Sequence, residues 1–112
     1  MSSAREEILK RPRQTRPIEA FGKTYALLVL SGRERNQIAK WSRECAEAKD
    51  FTGYREKCVI LLLADESGAR VFNDSDLEIV SGLDGIDLDK IHSEGLKFNR
   101  LIGDENEEAK KA

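Results

Sequence analysis

The densest group of side chains that could do chemistry lies in the acidic stretch 65–76, DESGARVFNDSD. Carboxylate and hydroxyl oxygens are calcium ligands, and Asp65 and Ser67 match the first and third positions of an EF-hand loop. That loop needs glycine at its sixth position and glutamate at its twelfth, where this chain has Arg70 and Asp76. We therefore interpret these residues as turn and helix-cap residues, and we predict no metal and no other cofactor.

The other reactive side chains lack a catalytic spacing. The single histidine, His92, has no serine or cysteine nucleophile in a recognisable motif beside it, and it borders the apolar stripe of a predicted helix. Cys45 and Cys58 lie in apolar-patterned segments, and no apolar signal segment follows the N-terminal charges. These features predict reduced core thiols in a cytoplasmic protein that is not an enzyme.

Composition limits the class of protein. The chain has 112 residues, of which 39% are hydrophobic and 36% charged, so it predicts one soluble domain with a heavily charged surface. An aromatic content of 6% argues against a stacking platform for single-stranded nucleic acid. No apolar run approaches the roughly 20 residues that span a bilayer, so we expect no membrane partner.

Charge is distributed unevenly along the chain. Residues 1–16 carry five cations against two carboxylates, a net of +3, and residues 65–89 carry eight carboxylates against one arginine, a net of -7. Opposite charges of this kind can orient a protein toward a partner or toward another copy of itself. The predicted partner-binding residues are Lys10, Arg11, Arg13, Arg16, Asp74, Asp76, Asp84 and Asp87.

The apolar run Cys58–Ala64 is the predicted centre of the core. We favour a helix from Gly53 to Ala64, capped by Thr52, because the charged residues before the run extend it past typical strand length. The alternative is a β-hairpin in which Cys58–Ala64 pairs with Ala69–Phe72 across the turn Asp65–Gly68.

The N-terminal half predicts a basic arm, a hairpin and a helix. Residues 1–14 form a mobile arm with a short helical piece, Ala4–Leu9, that Pro12 ends. Ile18–Phe21 and Thr24–Leu30 flank a turn at Gly22-Lys23, which is typical of a β-hairpin. A capping box of Ser31 and Glu34 then starts a helix whose predicted apolar face is Ile38, Trp41, Cys45 and Ala48.

Two further helices and a polar tail complete the prediction. Asn73 or Ser75 caps a helix that ends at Gly82 and whose apolar residues are Leu77, Ile79 and Val80. Asp87 caps a last helix, Leu88–Ile102, with Leu88, Ile91, Gly95, Phe98 and Ile102 on one stripe. Gly95 predicts a close approach by a neighbouring helix. Residues 104–112 are predicted to be disordered, which leaves a mainly α domain with a small N-terminal β-hairpin (α+β), compact and helical, over residues 15–103.

A series of short motifs carries a resemblance to a known family. The motif residues are Leu61–Ala64, Asp65, Glu66, Gly68, Val71, Phe72, Asp74 and Asp76, followed by Leu96-Lys97-Phe98-Asn99-Arg100-Leu101. Together with a hairpin-like start around Gly22, this pattern resembles the tail assembly chaperone family of long-tailed phages. The likeness covers roughly residues 15–103, and its motifs are structural rather than catalytic.

The resemblance implies a function in viral morphogenesis. Chaperones of this family bind the tape measure protein, keep its long apolar helices soluble, and help recruit tail-tube subunits. They act in the host bacterial cytoplasm and are absent from the mature virion. The resemblance also implies self-association, as a ring or a filament, and a longer form made by ribosomal frameshifting.

A helix-turn-helix regulator with a basic N-terminal arm is the alternative function. Asp74–Gly82 and Leu88–Ile102 have the proportions of that motif, and Lys10–Arg13 could contact phosphates. However, Asp87 and Asp89 open the second helix, where a recognition helix meets the DNA. This electrostatic mismatch argues against a nucleic-acid partner.

Overall fold

A computed structural model of the chain describes residues 3–101, and these form five α-helices around a three-stranded antiparallel sheet of order β1-β2-β3. The elements are α1 (Ala4–Lys10), β1 (Thr15–Ala20), β2 (Lys23–Leu28), α2 (Gly32–Ala48), α3 (Tyr54–Leu62), β3 (Leu63–Ala64), a 3-10 turn (Asp74–Asp76), α4 (Leu77–Ser81) and α5 (Gly85–Phe98). The mixed α+β class agrees with the sequence prediction. The sheet is larger than the predicted hairpin, because its third strand comes from the middle of the chain. The predicted tail 104–112 lies outside the described residues.

The N-terminal hairpin is confirmed. β1 pairs antiparallel with β2, with Thr15 opposite Leu28 and Ala20 opposite Lys23. The turn residues are Phe21 and Gly22, one position earlier than predicted, and both have positive φ, 54° and 77°. Such a two-residue turn matches the right-handed twist of the strands it joins.

The outer edge of β1 is poorly suited to pairing with another strand. The N–H of Val29 donates to the carbonyl of Gln14, and alternation along the ladder then places the backbone groups of Pro17 and Glu19 on the outer side. Pro17 has no N–H to offer, and the carbonyl of Glu19 accepts a hydrogen bond of 2.8 Å from Lys90 Nζ. Strand addition at this edge is therefore disfavoured.

The apolar run Cys58–Ala64 is fully buried, as predicted, but it is neither all helix nor all strand. It is helical through Leu62, and Leu63 and Ala64 then pair with Leu27 and Ala26 of β2. The N-cap is Gly53, not the predicted Thr52. Since α3 ends against the sheet, its last two apolar residues complete the ladder rather than a further helical turn.

A remnant of the alternative hairpin follows the run. The N–H of Val71 donates to the carbonyl of Leu63, and Ala64 forms an isolated bridge with Arg70. Gly68 turns the chain with a φ of 89°. Asp65 accepts hydrogen bonds from the Ser67 hydroxyl and from the backbone N–H groups of Ala69 and Ser67, and these bonds lower the pKa of its carboxyl group. The loop is thus a hydrogen-bonded turn.

α5 crosses α3 closely at Gly95, which confirms the role predicted for this glycine. A Cβ atom at residue 95 would lie 2.6 Å from Cδ1 of Leu62. The face of α5 toward the core consists of Leu88, Ile91, Gly95 and Leu96. Phe98 is half-buried, and the predicted stripe residue Ile102 lies outside the described residues.

Two predictions about the helices are wrong. α5 begins three residues early, because the carboxylate of Asp84, not of Asp87, accepts hydrogen bonds from the N–H groups of Ile86 and Asp87. Ala48, at the end of α2, is exposed rather than on an apolar face. In the five-residue α4, Val80 is buried and Ile79 is 61% exposed. The capping box of Ser31 and Glu34 is confirmed, as is the cap at Asn73.

Candidate partner-binding surfaces

A mainly apolar groove of ≈ 260 Å³ opens where α2 crosses α3 and the end of α5. Two polar side chains line it beside five mainly apolar ones: Arg35, Ser42, Ile38, Ala39, Tyr54, Leu96 and Leu101. Ile38, Ala39 and Ser42 follow one another at one- and three-residue steps, so the 3.6-residue period of α2 brings them to one face. This groove, called the α2 groove below, can accept apolar side chains of a partner.

Asn99 anchors one end of the α2 groove. Its side-chain amide donates to the carbonyls of Leu28 (3.0 Å) and Gly95 (2.8 Å), and its Oδ1 accepts from the N–H of Leu30 (2.6 Å). Its own carbonyl accepts a hydrogen bond of 2.7 Å from the guanidinium of Arg35. The amide therefore joins the end of α5 to the segment after β2 and sets the position of the groove-lining residues.

Tyr54, which lines the α2 groove, and the buried Cys58 beside it are both uncharged at neutral pH. Burial raises the pKa of the Tyr54 hydroxyl to about 12 and also raises the pKa of the Cys58 thiol to about 12. Both groups therefore stay protonated, and Cys58 is not a thiolate nucleophile. Both cysteines are free, as the sequence predicted. A neutral Tyr54 hydroxyl in the groove lining suits apolar ligands better than ions.

A small polar cluster lies behind Tyr54, between α3 and α5. The Arg55 guanidinium donates to Glu56 Oε1 (2.7 Å) and to Asp89 Oδ1 (2.8 Å). The His92 ring meets the Tyr54 ring edge to face, with centroids 5.6 Å apart. Within residues 3–101, the buried Nε2 of His92 has no hydrogen-bond partner. The boundary position predicted for His92 is confirmed, since the residue is half-buried.

His92 should make the protein less stable in mild acid. Burial, and then the charge of Arg55, lower the pKa of His92 below its usual 6.5, although Asp89 and Glu56 oppose this shift. Below pH 6.5 the unfolded chain therefore binds a proton that the folded protein does not, so the free energy of unfolding falls as the pH falls. His92→Phe keeps the edge-to-face contact and removes the titration. Urea unfolding at pH 7 and pH 5 should show a smaller pH-dependent loss in this variant than in the wild type; equal losses would contradict the prediction.

The four predicted basic residues lie between the last turn of α1 and the first residues of β1. Lys10 is in the last turn of α1, Arg11 follows it, and Arg16 is on β1; all are exposed. Arg13 forms an ion pair with Glu34, N···O 3.3 Å. Three of these cations thus remain accessible to a partner.

The four predicted acidic residues also act in local structure. Asp74 pairs with Arg70 at 3.0 Å, Asp76 accepts from the N–H of Asn73, and Asp84 caps α5. Asp87 lies in the first turn of α5 and borders a groove beside the hairpin turn. The sequence predicted the acidic residues but not the α2 groove. The only sequence features that pointed to the groove were the residue spacing on α2 and the final motif of the resemblance, residues 96–101.

No family model, curated protein or solved structure matches this chain. Among residues 3–101, no histidine, cysteine, aspartate and glutamate side chains form a group of three or more that could hold a metal ion. Nor is any helix in this part of the chain long and apolar enough to cross a membrane.

Proposed function

We propose that this protein is a phage tail assembly chaperone that binds apolar helical segments of the tape measure protein and helps recruit tail-tube subunits. The observation that carries the proposal is the α2 groove, an open apolar surface bounded by three helices. An amphipathic helix binds such a groove by inserting side chains from one face. The resemblance described above supplies the identity of the partner.

The groove chemistry supports an apolar ligand. Ile38, Leu96 and Leu101 offer aliphatic contacts, and the neutral Tyr54 hydroxyl imposes no charge on the bound side chain. Arg35 is held at the rim by its hydrogen bond to Asn99, so it can orient a ligand without filling the groove. These features favour a hydrophobic helix over a nucleotide or a metal ion.

The small size of the groove suits reversible binding. The surface that a partner can bury in a groove of ≈ 260 Å³ is far smaller than the surface buried in a standard stable protein interface. One groove should therefore bind its partner weakly. A long helix with repeated apolar faces can engage several copies at once, which raises the overall affinity without new contacts. A chaperone that must later leave the tail needs weak individual contacts of this kind.

Binding can be tested by co-expressing the chain with the tape measure protein encoded by the same genome. We expect the pair to co-purify and the tape measure protein to stay soluble. Ala39→Arg should weaken the complex at least tenfold, because a long cationic side chain would occupy the groove. Ala46→Arg is the matched control, since Ala46 is exposed on the same helix and lies outside the groove lining; it should bind normally.

Two results would contradict the proposal: no interaction with the tape measure protein, or equal binding by both variants.

The alternative function, a helix-turn-helix regulator, must be distinguished from the chaperone by the same experiment. Its motif is poorly supported, because α4 has five residues and the inward face of α5 is buried against α3 and the sheet. Retention of duplex DNA at physiological salt, without tape measure binding, would favour the rival.

A further inference from the structure

The α2 groove has one charged end. Arg35 is the only charged residue in its described lining, and the polar side chains of Ser42 and Tyr54 that accompany the apolar residues are neutral. On α2, Arg35 lies about one helical turn before Ile38, and Ser42 lies about one turn after it. The positive charge is therefore confined to the end of the groove nearest the start of α2, with the apolar contacts beyond it.

The guanidinium of Arg35 is held in place but has no ionic partner. It donates a hydrogen bond of 2.7 Å to the carbonyl of Asn99, whose side chain is itself fixed by hydrogen bonds to three backbone groups. The ion pairs in the described part of the chain do not include Arg35. The neighbouring carboxylate, Glu34, pairs with Arg13 at 3.3 Å. The remaining N–H groups of Arg35 are thus available to a ligand.

An arginine in this arrangement is suited to a carboxylate. The planar guanidinium can donate two parallel hydrogen bonds to the two oxygens of one carboxylate. Because the bond to Asn99 already restricts the Arg35 side chain in the free protein, less conformational entropy is lost when a ligand binds. A lysine or arginine of a ligand at the same place would instead be repelled.

We propose that the α2 groove selects apolar helices that carry a glutamate or aspartate one helical turn beyond their apolar stripe, on the same face. The aliphatic side chains of such a helix would contact Ile38, Leu96 and Leu101, and the carboxylate would bind Arg35. This inference rests on the proposed function and assigns to Arg35 the choice among apolar helices. Since residues three or four positions apart share a helix face, the expected ligand pattern is a leucine or isoleucine with an acidic residue at that spacing.

Synthetic helices test this selection without the tape measure protein. One blocked, alanine-rich peptide of about 20 residues carries a leucine stripe with a glutamate one turn beyond each end, and a second peptide has glutamine at both positions. Glutamate and glutamine have similar helix propensities, and placing the group at both ends makes the result independent of the direction in which the helix binds.

The expected preference is modest, because Arg35 lies at an exposed rim. Fluorescence anisotropy of the labelled peptides should show that the wild-type protein binds the glutamate peptide about fivefold more tightly than the glutamine peptide at low salt. High salt should reduce this difference, since it screens exposed charges.

A double-mutant cycle assigns the preference to Arg35. Arg35→Gln should bind the glutamate peptide about fivefold more weakly than the wild type does, and it should bind the glutamine peptide as the wild type does. Arg33→Gln is the matched control and should keep the full preference. Arg33 is an exposed cation near the same end of α2, but it lies on nearly the opposite side of the helix and outside the groove lining.

The outcomes separate this inference from the proposed function. Equal binding of the two peptides by the wild type overturns the carboxylate selection and leaves the groove as a helix-binding site. An Arg35→Gln variant that weakens both peptides equally also overturns it, because Arg35 would then serve only to hold the end of α5 through Asn99. If neither peptide binds, the α2 groove is not a helix-binding site, which contradicts the proposed function as well.

Discussion

Leu62→Asp should abolish the cooperative unfolding transition of this protein. Leu62 is fully buried at the end of α3, and its side chain lies against Gly95 of α5. An unpaired carboxylate buried at such a site costs several kcal/mol. Because a domain of this size is stable by only about 5–15 kcal/mol, this single change should leave little or no folded protein.

Circular dichroism during heating measures this effect directly. The wild type should unfold in one sigmoidal transition, and Leu62→Asp should show none. Leu9→Asp makes the same chemical change at an exposed position of α1, and its melting temperature should stay near that of the wild type. A soluble Leu62→Asp variant with a sharp transition would place the centre of the core elsewhere.

Asn99→Asp should be the second most damaging change. The new carboxylate still accepts from the N–H of Leu30, but it can no longer donate to the carbonyls of Leu28 and Gly95. The carbonyl of Leu28 loses this donor, the carbonyl of Gly95 keeps only the backbone N–H of residue 99, and both face a negative charge in a site that is 5% exposed. An unsatisfied buried acceptor costs about 1–3 kcal/mol and the buried charge adds to this cost, so we expect a loss of about 3 kcal/mol in the free energy of unfolding at pH 7.

The pH dependence gives this variant a distinctive signature. Burial beside two carbonyl oxygens raises the pKa of a carboxyl group, and the protonated form regains a donor. The folded variant therefore binds a proton more readily than its unfolded chain, and its deficit relative to the wild type should shrink as the pH falls. Asn36→Asp, on the exposed side of α2, is the control and should cost little. Equal effects of the two changes in urea unfolding would contradict the role of Asn99.

Local hydrogen-bond chemistry made several elements predictable. The capping box of Ser31 and Glu34, the Asn73 cap and the Gly68 turn each depend on groups within four residues of one another. The hairpin follows from two β-favouring runs around a glycine. In each case the partner atoms lie in the same short segment, so the residue types alone specify the geometry.

The candidate surfaces were predictable only in part. The charges of Arg11 and Asp84 can be read from the sequence. The sequence did not show that Asp84 also caps α5. The exposure of Ile79 was not predictable, because its apolar character is the same whether α4 turns it inward or outward. Which of two neighbouring apolar residues faces the core depends on the exact start of a five-residue helix, and periodicity cannot locate that start.

By itself the sequence determined a buried apolar centre at Cys58–Ala64, an N-terminal hairpin, a capped α2 and a close contact at Gly95. Only the tertiary structure decided where the apolar centre changes from helix to strand. An unbroken apolar run has no polar face to reveal its period, so both conformations bury it equally well. The free backbone edge of β2 pairs with Leu63 and Ala64 and ends the helix at Leu62. The α2 groove also depends on the tertiary structure. Its lining residues come from separate helices, and the contacts between those helices are not encoded in any one segment.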